Sequence, residues 1–428
     1  GAGGRRPAGA RGGSVTTVAP SPFERAETRR ALQTLIREIE QRPARPRAIP
    51  PPAAATSSLA WHTSEGGTVG YRELRYGPDD VVGSQSLAPL FEADAHTISL
   101  LTRGDPDFAP DDGTCASDLV FFDIETTGLG GAGAAVFMVA TARIEDGALV
   151  LRQHVSPSPA DEGALVDAVL GVMRSHDDPV LVTYNGRTFD APFIDERATM
   201  HRRRSGLQSA RHLDLLHTVR RGYRGMLPSN RLATVEASVL GVTRPEFEVA
   251  GAEIPGWYFR FVRSGSMRFI DPILEHNAVD VLALAALVAH LHEGARGAGL
   301  LEEPRRSLAL GRLALAGRRY EEALPHLEAA ACRLVRPGVR EDAVRDLAAA
   351  YRLTGRRDLA VAEWHWLAEQ SEAHGAWARQ QLAVHYEHHA RDLDRALAIV
   401  EATTTRHAPE GWVRRRERLV RKIQRLAR

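Results

Sequence analysis

Leu119-Val120-Phe121-Phe122-Asp123-Ile124-Glu125-Thr126-Thr127-Gly128-Leu129 is the stretch on which the reading of this chain turns. Its first four residues form an unbroken apolar run, as expected for a strand buried on both faces. Side chains alternate along a strand, so Asp123 and Glu125 share one face while Ile124 points the other way into the core. An acid pair at the end of a buried strand is costly unless something neutralises it. A divalent cation suits, because hard cations prefer carboxylate oxygens. Thr126, Thr127 and Gly128 then supply backbone N–H groups close by.

Two further acids lie downstream. Leu181-Val182-Thr183-Tyr184-Asn185-Gly186-Arg187-Thr188-Phe189-Asp190 reads as a buried strand, a turn at Asn-Gly and an acid at a helix start. Taken alone, Asp190 serves equally well as a helix N-cap before Ala191-Pro192. Glu275-His276-Asn277-Ala278-Val279-Asp280 has helical spacing, with His276 and Asp280 four apart on one face. A lone His–Asp pair on a helix is more often a surface contact; it matters here because two other acid clusters exist.

Around these motifs, Ala135–Ile144 and Ala148–Val155 read as strands joined by a tight turn at Asp146-Gly147, and 179–184 and 212–216 as further strands. Helices are expected from about Asp161 to Arg174, from Pro192, over 233–240 up to Gly241, and from Asp271 to about His292. The sum is an α/β fold, a mixed sheet with flanking helices. After residue 300 the pattern is helical alone. Gly317-Arg-Arg-Tyr320 resembles Gly355-Arg-Arg-Asp358, and Leu393-Asp-Arg-Ala396 looks like a third copy, so helix pairs forming a short solenoid are expected.

The three acid motifs, in this order, resemble those of the DEDD 3′–5′ exonucleases of the ribonuclease H-like superfamily. In detail they look like the YprB-like branch, with Asn230–Glu236, Leu240-Gly241 and Ile254-Pro-Gly-Trp257-Tyr258-Phe259-Arg260-Phe261 as supporting stretches. The resemblance covers about residues 117–295. It implies a ribonuclease H-like fold and two Mg²⁺ or Mn²⁺ ions, about 4 Å apart, held by Asp123, Glu125, Asp190 and Asp280. His276 would orient the attacking water or take its proton. Thr126, Thr127, Gly128 and Leu129 would hold the terminal nucleotide, with Asn185 and Asn277 in the same substrate-contacting set and Asp214 a supporting acceptor. One departure stands out. In the histidine-type enzymes the histidine precedes the last acid by five positions, and Glu275 occupies that place; His276 sits where the tyrosine-type enzymes carry tyrosine. One residue along a helix turns a side chain by about 100°. The resemblance favours DNA over RNA, a helicase or another protein as partner of the repeats, and a role in DNA processing. An RNA-trimming nuclease, an endonuclease, and a non-catalytic adaptor on a relic fold are the rival readings.

The chain's 428 residues suffice for two or three domains. Four segments are expected: 1–56, disordered and proline-rich with one short helix over 23–41; 57–116, an extension packing on the nuclease domain; 117–300, the nuclease domain; and 301–428, the helical repeats with a basic last helix. Net charge is +1 and Lys422 is the only lysine. Basic clusters at Arg202–Arg204, at Arg220, Arg221 and Arg224, and in the 414–428 tail each read as solvated surface, less so together. Cys115 and Cys332 form neither a disulfide framework nor a CxxC site, which fits a reducing compartment. No apolar run reads as long enough to cross a bilayer and no signal segment opens the chain, so a cytoplasmic location without a membrane is expected.

Overall fold

A computed structural model describes residues 59–427, apart from 104, 106, 110–111, 129–132, 176–177, 245–248 and 404–409. The expected segment 1–56 and Leu129 therefore lie outside the described residues.

The sheet has seven strands: β1 (Ala60–Ser64), β2 (Gly67–Tyr76), β5 (Leu119–Thr126), β6 (Val136–Glu145), β7 (Ala148–Val155), β8 (Val180–Thr183) and β9 (Arg211–Asp214), in spatial order β1-β2-β7-β6-β5-β8-β9. β3 (Val81–Val82) and β4 (Gln85–Ser86) form a separate small pair. β5 lies between antiparallel β6 and parallel β8, so the sheet is mixed, as the pattern implies. Phe121 faces one core and Phe122 and Ile124 the other, which explains the unbroken apolar run. The hairpin between β6 and β7 turns at Asp146 and Gly147, both with positive φ, the backbone demanded by a two-residue turn of matching twist.

The segment read as an extension is part of the sheet. β2 pairs along its length with β7, Gly70 opposite Val155 through Tyr76 opposite Leu149. β7 would otherwise present a row of unpaired backbone groups beside the core, and β2 satisfies them. β1 then forms the outer edge and all five of its residues are exposed.

Helices cover both faces. After α1 (Ala95–Leu101), α2 (Glu162–Arg174) and α3 (Asp190–Met200) pack on one face; α4 (Leu215–Gly222), α5 (Leu232–Val235), α6 (Ile254–Ser264) and α7 (Asp271–Ala295) follow. Two expectations shift. Leu215 and Leu216 start α4, capped by Asp214, rather than end a strand. The helix expected over 233–240 widens after Val235 into a π-turn, Glu236–Leu240, closed by Gly241. α7 spans Met267–Ala295 with its lead-in and is long and apolar enough to cross a membrane, contrary to the expectation that no such run exists. It is apolar all round because most of it is buried inside the protein.

α8 (Pro304–Ala316), α9 (Tyr320–Arg333), α10 (Val339–Leu353), α11 (Arg357–Gln370), α12 (Gly375–His388), α13 (Leu393–Thr403) and α14 (Glu410–Leu426) complete the chain. The Gly-Arg-Arg motifs sit at the α8–α9 and α10–α11 turns, and each helix packs on the next. Leu308, Ala309 and Leu313 of α8 share one core with Leu287, Val288 and Leu291 of α7. Arg312 of α8 donates to the Arg224 carbonyl at 2.7 Å and to Asp346 at 2.7 Å.

The opposite face carries a buried ionic knot. Glu162, 1% exposed, accepts both guanidinium arms of Arg197 at 2.7 and 2.5 Å, the Val136 amide at 2.8 Å and the His201 ring at 2.8 Å. Burial alone would raise its pKa, but Arg197, His201 and that amide outweigh burial and hold it below the usual range. This contribution to stability is present above an unfolded value near 4.5 and fades as acid protonates the folded carboxylate. Glu162→Ala leaves Arg197 buried without its partner and is expected to cost about 3–5 kcal/mol, read by urea unfolding at neutral pH; a loss below about 1 kcal/mol would show that the knot is not structural.

Candidate active site

The C-terminal end of β5 carries Asp123 and Glu125 on the face covered by α7. Asp123 Oδ2 accepts from Asn277 Nδ2 at 2.7 Å. Asn277 is fully buried, and its Oδ1 accepts from Gln153 Nε2 of β7 at 3.0 Å; the same Nε2 reaches the Leu274 carbonyl at 2.7 Å. This relay locks α7 over the sheet. Asn277, expected to touch substrate, instead orients an acid.

Asp190 begins α3 just beyond β8. The intervening turn is tightly specified. Asn185 has φ 71°, and a Cβ on Gly186 would lie 2.5 Å from Thr183 Oγ1, so only glycine fits there. Asp214 accepts the Asn185 amide at 2.9 Å and the Arg187 amide at 3.2 Å while capping α4 through Leu216. Asp214 is thus a structural brace for the Asp190 turn. Asn185 is exposed, and its side-chain oxygen accepts from Thr188 within the same turn at 2.8 Å.

Asp280 lies on α7 one turn after His276. A guanidinium arm of Arg244, from the segment after α5, donates to Asp280. The same residue forms a two-armed pair with Glu236, 1% exposed, both contacts at 2.5 Å, and reaches His276 Nδ1 at 3.2 Å. With Nδ1 accepting from Arg244, the ring proton sits on Nε2, which faces Asp280 at 3.6 Å, beyond direct hydrogen-bonding range. Glu275 faces elsewhere and pairs with Arg72 of β2 at 2.7 Å. Helix phase therefore puts position 276, and not 275, against the acids.

The loop expected to cradle a nucleotide is partly committed to itself. Thr127 donates its amide to Ala135 and accepts the Ala135 amide on its hydroxyl, each at 2.9 Å. Thr126 donates its hydroxyl to the Gly128 carbonyl at 2.8 Å. The Thr127 amide is accordingly spoken for, a correction to its expected role, because the register shift between Glu125 and Thr126 turns it back to β6.

The four acids lie within electrostatic reach of one another. Burial, then Asp280, Asp190 and Glu125, push Asp123 well above the usual carboxylate range, against the hydrogen bond from Asn277. Burial, Asp280 and Asp190 raise Glu125 to about 8, partly offset by Arg244. Burial raises Asp190 to about 7 against its own amide and that of Ile124. Among the described residues, no three His, Cys, Asp or Glu side chains are close enough to hold an ion as they stand. The donor chemistry nevertheless fits a hard divalent cation: oxygen ligands and crowded negative charge, with the Arg244 guanidinium set against it among the described residues.

A profile of the ribonuclease H superfamily matches residues 120–292, the span of this sheet and its helices. The chain is also 32% identical over 291 residues to the uncharacterized protein YprB of Bacillus subtilis (strain 168), covering 67% of this chain and 68% of that protein. The chain belongs to the ribonuclease H superfamily. It carries a ribonuclease H-like nuclease domain, whose substrates are nucleic acids and whose members generally use divalent metals. Within this ribonuclease H-like site, Arg244, Gln153 and Arg72 are the residues that reading along the chain missed. Arg244 follows a turn at Gly241 with no periodicity to mark it, and Gln153 and Arg72 lie inside strands whose facing side depends on pairing.

Carboxyls with folded pKa values above their unfolded ones bind extra protons in the folded state, so stability falls as pH rises between the two values. For Glu125 and Asp190 that window runs from their ordinary values, 4.5 and 3.8, to about 8 and about 7. In chelator, the protein is expected to melt at a lower temperature at about pH 8 than at about pH 5, and Glu125→Gln to melt above the wild type at the higher pH. A Glu125→Gln protein less stable than wild type there would contradict the charge crowding.

Proposed function

We propose that this chain is a two-metal-ion nuclease that trims nucleic acid from its 3′ end, with DNA the favoured substrate. The supporting observation is the gathering of Asp123, Glu125, Asp190 and Asp280 from β5, α3 and α7 around one buried strand end. These four carboxylates would hold Mg²⁺ or Mn²⁺. When bound, such ions supply an activated water and offset charge on the leaving oxygen.

The chain's own residues do the remaining work. Asn277 keeps one Asp123 oxygen engaged, so the other is presented to the site in a defined direction. To hold an ion Asp280 would give up Arg244, and Glu236 would keep the guanidinium beside the site, where it could neutralise a phosphate oxygen. His276, one turn before Asp280, positions the attacking water and takes its proton on Nδ1 once Arg244 has turned away from that nitrogen. The helical repeats are the natural docking place for a helicase or other protein partner in DNA processing, an argument from family alone.

Asp123→Asn is expected to abolish hydrolysis while nucleic-acid binding survives, and EDTA to stop activity that Mg²⁺ or Mn²⁺ restores. His276→Ala should slow turnover by about a hundredfold. The assay is degradation of 3′-labelled, 5′-labelled and circular DNA and RNA by purified protein. Near-normal turnover by Asp123→Asn would remove the mechanism. Loss of circular substrate would replace the exonuclease with an endonuclease, and exclusive attack on RNA would replace DNA.

A further inference from the structure

α6 has an outward face that the proposed chemistry does not use. Ile254, Tyr258 and Phe261 turn inward, and Tyr258 stacks on Phe137 of β6 with ring centres 3.9 Å apart. The opposite side presents Phe259, 39% exposed, with exposed Arg260 and Arg263. Phe259 and Arg263 are four apart and therefore neighbours on the helix surface. Trp61 of the edge strand β1 is 41% exposed and lies flat against Phe261, ring centres 6.2 Å apart and planes 8° from parallel. Just beyond the helix, Arg268 lies 4.5 Å over the Phe269 ring. A soluble protein gains nothing in stability from exposing such large rings, and no ion pair is found for Arg260, Arg263 or Arg268 among the described residues.

The helix that carries the patch sits on the same sheet face as the acids. Met138 pairs across from Glu125 in the β5–β6 register, so both side chains face the same side of the sheet. Met138 packs with Tyr258, Phe261, Ile273 and Leu274, which seats α6 on the face that carries the acids. From Asp271, at the start of α7 beside Arg268, to Asp280 is about two and a half turns, or about 14 Å.

We propose that Trp61, Phe259, Arg260, Arg263 and Arg268 form a platform that holds single-stranded nucleic acid upstream of the acid site. The inference rests on the nuclease reading for the direction of the strand. Alternating exposed rings and guanidinium groups match the two parts of a single strand, unpaired base faces and phosphates. A duplex hides its base faces, and an acidic protein partner would leave the rings without a role.

The test uses the full chain carrying Asp123→Asn and measures anisotropy of a labelled single-stranded oligonucleotide and of a duplex, over a salt series and without divalent metal. Phe259→Ala and Trp61→Ala are expected to weaken single-strand binding about tenfold each, with unchanged melting temperature. Arg260→Ala with Arg263→Ala should lower the log–log salt slope by about 1.4, because each phosphate contact on a single strand contributes about 0.7. Arg174→Ala, on α2 on the opposite sheet face, removes one charge and is the control. The proposal is overturned if Phe259→Ala and Trp61→Ala leave single-strand affinity unchanged, or if Arg260→Ala with Arg263→Ala costs no more on a logarithmic scale than twice the effect of Arg174→Ala. It is overturned equally if duplex binds as tightly as the single strand, or if no oligonucleotide binds. Because nothing is cleaved in this measurement, a metal-loaded wild-type chain that degrades no substrate would sink the nuclease reading and leave the platform standing.

Discussion

Four carboxylates converge where a strand buried on both faces runs out, and their mutual repulsion in a medium of low polarity governs the rest of the arrangement. The fold answers that repulsion in several ways. Asn277, itself fixed by Gln153, donates to Asp123. Arg244, gripped by Glu236, places its positive charge on Asp280. Protonation covers the remainder, which is why Glu125 and Asp190 hold protons close to neutral pH. A site so short of positive charge is primed for cations.

α7 connects that site to the rest of the molecule. Its first half carries His276, Asn277 and Asp280; its second half is buried among α1, α8 and the sheet, with His292 hydrogen-bonded to Thr97 at 2.8 Å. A helix of 25 residues runs about 37 Å. Because α8 packs directly on it in a shared core, the helical repeats begin as a continuation of the nuclease domain, with no free linker between them. A partner held by the repeats would therefore be oriented rigidly with respect to the acids.

Reading along the chain worked where the signal is local. The apolar run before Asp123, the Asp-Gly hairpin turn, the Asn-Gly turn ahead of Asp190 and the helical spacing of His276 and Asp280 each depend on nearest neighbours, and each element stands close to where it was expected. It worked less well where a residue's partner is remote. That the 59–116 segment adds two strands follows from the open edge of β7, which no local pattern announces. The π-turn at Glu236 and the commitment of the Thr127 amide to Ala135 likewise arise from packing and register.

The question left by the histidine's spacing shows the division most clearly. Sequence alone determined the acid inventory and the strand that presents two of them, because alternation and helical period are written in consecutive residues; the superfamily was legible only through the resemblance of the three acid motifs to a known family. Whether position 275 or 276 faces the acids depended on the rotation of α7 about its own axis. That rotation is set by Gln153 holding Asn277 and by Arg72 drawing Glu275 away, contacts between residues more than a hundred positions apart. Only the folded chain brings such partners together, so only the tertiary structure could decide it.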